Sequence, residues 1–216
     1  MSEPPPGSYR RENAGLEFDR VSFFTDAVYA IAMTLLVVEL HIPEISRPAD
    51  PTALRQAVYA EGWAIAGFFI GFWILGRYWL AHHRFFSVLR SIDRGMMTVN
   101  LVYLAFVAFT PFPVGLLSRY EDKPDVFVLF AFTMVVISGL EVVLYHMAVR
   151  RGHMRVDLSP ELRRFGYVAS GTPVVMMALS IPLAYVSPTL ALCSWLLMMP
   201  VSMVIDRFAP PGVEDL

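Results

Sequence analysis

The sequence predicts an all-α membrane protein with six transmembrane helices in each chain. Its residues are 56% hydrophobic and only 17% charged, whereas a soluble domain is about half apolar and about a quarter charged. A window of about 19 residues, close to the length of one membrane helix, finds six apolar runs. They lie near 21–40, 62–83, 97–118, 126–148, 165–186 and 189–205.

The same composition argues against several other classes of function. A formal net charge of -2 does not favour a nucleic-acid partner. Cys193 is the only cysteine, so neither a disulfide framework nor a thiol metal site is expected. The chain has no Gly-x-Ser-x-Gly nucleophile elbow, and apart from the tandem His82 and His83 its histidines stand singly. We therefore expect no enzyme activity, no bound metal and no cofactor.

The ends of the chain differ in composition from the apolar runs. Residues 1–19 are rich in proline and charge and lack the apolar core of a signal peptide, so they predict a disordered cytoplasmic tail. Residues 20–207 then form one six-helix transmembrane domain, and residues 208–216 a short C-terminal tail.

The basic residues predict which way the helices run. Twelve of them fall in the N-terminal tail, the second and fourth loops and the C-terminus, against four in the opposite loops, and Arg77 lies inside a span. Loops rich in arginine and lysine stay in the cytoplasm. Both termini are therefore predicted to be cytoplasmic.

Polar residues on the first three predicted helices fall at one depth of the membrane. Asp26 lies near the cytoplasmic end of helix one with Arg20 just below it, Trp79 and His82 near the end of helix two, and Asn100 at the start of helix three. At a rise of about 1.5 Å per residue they share one layer. Buried ionisable groups in a bilayer usually pair with one another. Such a layer either holds the three helices together or takes part directly in proton or ion movement.

A second pattern lies on another face of helix one. At about 100° per residue, Ala27, Thr34, Leu35 and Val38 fall within about 60° of Ile31, whereas Asp26 lies about 140° away. The result is an apolar stripe with one hydroxyl group. Taken alone, such a stripe is compatible with helix packing or with a pore lining.

Three segments resemble the transmembrane protein 175 potassium channels. The segment "RVSFFTD" at 20–26 is similar to that family's Arg-x-x-x-Phe-Ser-Asp motif, with Thr25 in place of the serine. The segment "YWLAHHRFF" at 78–86 resembles its Trp-x-x-His signature, and "NLVYLAFVAFTPFPVGLL" at 100–117 resembles its third helix. The resemblance covers helices one to three.

The resemblance implies a homotetramer in the lipid bilayer with helix one lining a central pore. That pore would conduct potassium with modest selectivity over sodium, through rings of apolar side chains and without a bound cofactor. By position, Ile31 would form the constriction, Thr34 a hydroxyl ring, and Leu35 and Val38 the outer lining. The residues implied to hold helix one in place are Arg20, Phe24, Thr25, Asp26, Trp79, His82 and Asn100.

A proton-coupled transporter is the alternative interpretation. Asp26, His82 and Glu141 could form a proton relay, although Glu141 equally suits a hydrogen bond between helices. Pro173 and Pro182 are expected to interrupt helix five, as in many transporters, but no matching half of the chain accompanies them. Sixteen arginines against one lysine suggest a GC-rich genome and hence a bacterial plasma membrane.

Overall fold

A computed structural model describes residues 8–40, 51–120 and 122–211, without the side chains of residues 8–16 and 51. These residues form nine α-helices, with a short 3-10 helix, Leu36–Glu39, after the first. The helices are α1 Ser8–Leu35, α2 Pro51–Ala60, α3 Gly62–Ser87, α4 Arg94–Phe109, α5 Pro111–Arg119, α6 Pro124–Arg151, α7 Pro160–Val186, α8 Pro188–Leu196 and α9 Met198–Arg207.

Among the described residues, six segments are long and apolar enough to cross a membrane. They are Glu17–Glu39, Gly62–Ser87, Arg94–Arg119, Pro124–Arg151, Pro160–Val186 and Pro188–Arg207. The third combines α4 with α5, and the sixth combines α8 with α9. The predicted all-α fold with six spans is thus confirmed, with the span boundaries shifted by a few residues.

The first helix extends further towards the N-terminus than the composition predicts. Its backbone is helical from Ser8, so residues 8–19 continue α1 where a disordered tail is predicted. Adding a residue to an existing helix is far easier than starting a new one, and the apolar part of α1 provides the start. Residues 1–7 and 212–216 of the predicted tails lie outside the described residues.

Prolines act differently in two of the spans. In the third span α4 ends at Phe109 and Pro111 begins α5, where its missing N–H is not needed. In the fifth span α7 runs without a break through Pro173 and Pro182. The predicted interruption of helix five is therefore wrong, because neighbouring helices in a membrane bundle can satisfy the backbone groups that a proline frees.

Two loops at one end of the bundle are joined by a polar clamp around Asp93. This carboxylate caps α4 by accepting the Met96 backbone N–H at 2.9 Å, and it accepts from Arg151 at 2.7 Å and His153 at 3.1 Å. The Met96 N–H and the Arg151 guanidinium hold the pKa of Asp93 well below its usual range. The clamp ties the start of α4 to the end of α6.

The clamp lies at the end of the bundle where the arginines gather. Arg84, Arg150 and Arg207 occupy the last turns of α3, α6 and α9, while Arg94 begins α4. This arrangement agrees with the alternation of spans from which the orientation is predicted. Cytoplasmic termini remain a prediction.

The largest part of the core surrounds one face of α1. Tyr29, Ala32 and Leu36 are at most 1% exposed and belong to a cluster that includes Leu75 of α3 and Tyr103 of α4. Through this face α1 packs against α3, α4 and α5. Packing inside a bilayer depends on close van der Waals contact and hydrogen bonds between helices, and both are present here.

Candidate pore helix and its polar supports

The two sides of α1 have opposite environments. Thr25, Tyr29, Ala32 and Leu36, spaced three or four residues apart, form the buried stripe against the other helices. The opposite side is open, and Ile31 there is 59% exposed. A helix packed on one side only leaves the other for lipid, water or another chain.

The four side chains predicted to line a pore lie on this open side. Ile31, Thr34, Leu35 and Val38 are all exposed. Val38 belongs to the 3-10 helix Leu36–Glu39, in which side chains three residues apart eclipse one another. The side chain of Val38 therefore points in a direction closer to that of Leu35 than it would if the α-helix continued.

The hydroxyl group of Thr34 is held in a defined direction. Its Oγ1 donates a hydrogen bond to the Ile31 carbonyl at 2.9 Å. Because the proton is used within the helix, the lone pairs of the hydroxyl oxygen remain available on the open side. Such an oxygen can accept a hydrogen bond from water or contact a cation.

Asp26 connects α1 to α3. Trp79 Nε1 donates a hydrogen bond of 2.8 Å to Asp26 Oδ1, and His83 Nδ1 lies 3.9 Å from the same oxygen. The Asp26 side chain is 37% exposed. The carboxylate therefore sits at the edge of the α1–α3 contact, with one firm partner.

Thr25 connects α1 to α4 through a fully buried bond. Asn100 Nδ2 donates to Thr25 Oγ1 at 3.0 Å, and Thr25 Oγ1 donates in turn to the Val21 carbonyl at 2.9 Å. Thr25 is 3% exposed and Asn100 is 1% exposed. The hydroxyl of Thr25 thus both accepts and donates, and the pair fixes α1 against α4.

His82 occupies the centre of a third group of polar residues. Its Nδ1 lies 3.4 Å from Glu141 Oε2 on α6, and its ring stacks on Tyr103 with centroids 4.5 Å apart. The hydroxyl of Tyr103 hydrogen-bonds that of Tyr29 on α1. This group links α1, α3, α4 and α6 through aromatic and polar contacts.

The residues predicted to share one network therefore divide into separate contacts. Asp26 contacts Trp79 and approaches His83, whereas His82 faces Glu141, so the three residues of the predicted relay are not joined by one chain of hydrogen bonds. The side chains of Arg20 and Phe24 are exposed. Their proposed scaffold roles remain predictions.

Sequence reasoning missed the two tyrosines that join α1 to α4. Tyr29 and Tyr103 are each at most 1% exposed, and their hydroxyls meet in the core. A signal was present, because Tyr29 follows Thr25 by four residues and so shares its face of the helix. Tyr103 gave no comparable signal, since its partner lies 74 residues away in the chain.

Comparison with known proteins identifies the family. A sequence model described as "Endosomal/lysosomal potassium channel TMEM175" matches residues 20–111. The "Potassium channel B446_29190" of Streptomyces collinus is 32% identical over 190 residues, covering 82% of this chain and 87% of that protein. The chain belongs to the TMEM175 family.

More distant TMEM175 relatives match a smaller part of each protein. The human "Endosomal/lysosomal proton channel TMEM175" is 32% identical over 114 residues, which cover 50% of this chain and 23% of the human protein. Human TMEM175 is therefore much longer than the part that this chain resembles.

Solved structures of TMEM175 proteins share this fold. The crystal structure of a "lysosomal potassium-selective channel TMEM175 homolog" from Chamaesiphon minutus superposes with a TM-score of 0.72 at 24% identity, covering 88% of this chain and 98% of that one. A "potassium channel MtTMEM175" variant gives a TM-score of 0.63 at 18% identity. Family membership places the chain among cation channels and not among enzymes.

Proposed function

We propose that four copies of the chain surround one potassium-conducting pore, with α1 of each copy lining it. Ile31 forms the apolar constriction, Thr34 the hydroxyl ring beside it, and Leu35 and Val38 the outer lining. Selectivity over sodium is modest. The open side of α1, with Ile31 59% exposed opposite a buried stripe, is the observation that carries this proposal.

The hydroxyl of Thr34 favours a position of this side of α1 on a pore axis shared by the four chains over a position facing lipid. An oxygen with free lone pairs is poorly satisfied against hydrocarbon, where nothing donates a hydrogen bond to it. Beside a water-filled pore the same oxygen can contact water or a cation. The bond from Thr34 to the Ile31 carbonyl, at 2.9 Å, holds it in that direction.

The chemistry of the stripe accounts for selectivity without a carbonyl filter. A ring of apolar side chains, such as a ring of Ile31, excludes water from a narrow pore. Such a ring can gate the pore by dewetting. A cation that passes such a ring sheds part of its hydration shell, and the more weakly hydrated potassium does so more easily than sodium. The ring of Thr34 hydroxyls replaces part of the lost hydration, and because it offers few ligands the selectivity is modest.

The relatives support potassium as the permeant ion and a bacterial membrane as the location. Those from Streptomyces collinus and Chamaesiphon minutus are named potassium channels. Both are bacterial, as the arginine-rich composition of this chain also suggests. The proposal therefore places the channel in a bacterial plasma membrane.

Proton-coupled transport is the second candidate. The contact between the buried His82 and the partly buried Glu141, 3.4 Å apart, supports it. Asp26 lies outside this pair because its hydrogen bond is to Trp79. On this hypothesis Glu141→Gln abolishes proton-driven flux, whereas the channel hypothesis predicts that ion flux persists.

The test is cation flux into proteoliposomes under a potassium gradient, comparing the wild type with Ile31→Asn. The channel hypothesis predicts potassium flux without a proton gradient, and weaker discrimination against sodium in the variant. Val175→Asn provides a matched control, because Val175 is 58% exposed on α7, which is not one of the helices α3, α4 and α5 that pack against α1. Flux that requires a proton gradient and is unchanged by Ile31→Asn contradicts the proposal.

A further inference from the structure

A groove separates α7 from α9 at the arginine-rich end of the bundle. Its volume is about 450 Å³, within the range of about 300–1,000 Å³ that is usual for ligand sites. One wall is formed by α7, and the other by the end of α9 and the residues that follow it. The groove lies away from the open side of α1 and has no part in the proposed pore.

The α7 wall of the groove changes from charged to apolar along the helix. Glu161 and Arg164 come first, followed by Phe165 and Val168, all on one face because they are spaced by three or four residues. From Glu161 to Val168 the helix rises by about 10 Å. Since the membrane span begins at Pro160, the charged part lies near the lipid headgroups and the apolar part lies deeper.

The opposite wall is entirely apolar. Val204 and Phe208 line it and are 56% and 76% exposed. A hydrocarbon chain entering between Val168 and Val204 would cover apolar surface on both helices. The groove therefore combines one charged end with two apolar walls, which is the chemistry of a lipid with its headgroup and one acyl chain.

The two charges at the groove mouth indicate which headgroup fits. Arg164 presents a guanidinium, the preferred protein partner of a phosphate. Glu161 presents a carboxylate on the same face, three residues earlier. Within the described part of the chain, neither side chain forms a hydrogen bond or an ion pair with another residue, so both groups are available to a ligand.

We propose that this groove binds one phospholipid of the phosphatidylethanolamine class. Its phosphate contacts Arg164, its primary ammonium donates hydrogen bonds to Glu161, and one acyl chain lies against Val168, Val204 and Phe208. Phosphatidylglycerol has no cation for Glu161, and its negative charge is not balanced by a second basic group in the groove lining. Phosphatidylcholine has a quaternary ammonium without an N–H donor.

The test is native mass spectrometry of the full chain in a mild detergent. The protein is incubated with an equimolar mixture of dioleoyl phosphatidylethanolamine, phosphatidylglycerol and phosphatidylcholine, and the lipids retained per chain are counted. The wild type is expected to retain one phosphatidylethanolamine. Arg164→Gln removes a charge-assisted hydrogen bond and is expected to weaken retention about tenfold, while Glu161→Gln removes the preference for phosphatidylethanolamine over phosphatidylglycerol.

Two further variants separate this site from general lipid binding. Val168→Trp fills the apolar part and is expected to displace the lipid. Arg94→Gln removes an exposed arginine at the same end of the bundle but outside the groove, and retention is expected to be unchanged. Equal retention of the three lipids by the wild type, or equal phosphatidylethanolamine retention in Arg164→Gln and Arg94→Gln, overturns the proposal. Because Glu161→Gln is conservative and exposed, its headgroup preference decides the question even if Val168→Trp misfolds.

Discussion

One substitution made at two positions of α1 separates its supporting side from its open side. Thr25→Val and Thr34→Val each remove a hydroxyl and keep the shape of the side chain. At Thr25 the hydroxyl is the acceptor for Asn100 Nδ2 at 3.0 Å, in a site where both residues are nearly inaccessible. At Thr34 the hydroxyl is exposed, and among the described residues its bond is to the Ile31 carbonyl of its own helix. We expect Thr25→Val to destabilise the protein and Thr34→Val to leave its stability unchanged.

The size of the effect follows from the group left without a partner. Leaving a buried donor unsatisfied costs about 1–3 kcal/mol, whereas hydrogen bonds between helices in a membrane protein average about 0.6 kcal/mol and reach about 1.7. The cost of leaving the Asn100 amide unsatisfied is raised because its Oδ1 already has no partner among the described residues. We therefore expect Thr25→Val to cost about 1–2 kcal/mol. For a chain of this size about 1 kcal/mol lowers Tm by about 2–4 °C.

The assay is thermal unfolding of both variants in the same detergent, followed by a double-mutant cycle of Thr25→Val with Asn100→Leu. The free energy of unfolding of the double variant should be higher than additivity predicts, by about 1 kcal/mol, because the second substitution removes the unsatisfied amide. Thr34→Val should stay within about 0.5 kcal/mol of the wild type. A stable Thr25→Val, or a larger loss in Thr34→Val, would refute the assignment of the two faces.

Leu36→Ala should cost about 2–5 kcal/mol by opening a cavity, since Leu36 is 1% exposed, whereas Leu35→Ala should be nearly neutral in the same unfolding assay because Leu35 is 44% exposed. Asp26→Asn should reduce the fraction of assembled oligomer more than it changes ion preference, while Ile31→Asn should change permeation in an intact oligomer. Light scattering coupled to size-exclusion chromatography measures the oligomer fraction of both variants. An equal loss of oligomer in the two would contradict this division of roles. The pKa of Asp93 is lowered in the folded protein. The stability that this carboxylate contributes is therefore fully present above the unfolded pKa of about 3.9, and it is lost as the pH falls towards the folded pKa. The wild-type Tm should therefore fall more steeply below about pH 4 than the Tm of Asp93→Asn, and parallel curves would show that the clamp does not contribute.

Local patterns were sufficient for the spans and for the two sides of α1. A membrane helix needs about 20 apolar residues whatever surrounds it, so the six runs could be counted from the sequence. The angle between Ile31 and Tyr29 is also local, because the helical period sets it, and the structure places these residues on opposite sides of α1. The continuity of α7 through its prolines was predicted wrongly, and the helical start of α1 at Ser8 was not predicted.

The sequence by itself determined the fold class, the apolar stripe and a layer of polar residues at one depth, because each follows from the positions of residues within their own helices. Only the tertiary structure decided which polar residues pair. The position of a residue along its helix gives its depth in the membrane, but not how each helix is rotated about its own axis. That rotation turns His82 towards Glu141 and Trp79 towards Asp26, although all four lie near one level. The groove between α7 and α9 likewise depends on how the two helices lie against each other, which the residues of neither helix set alone.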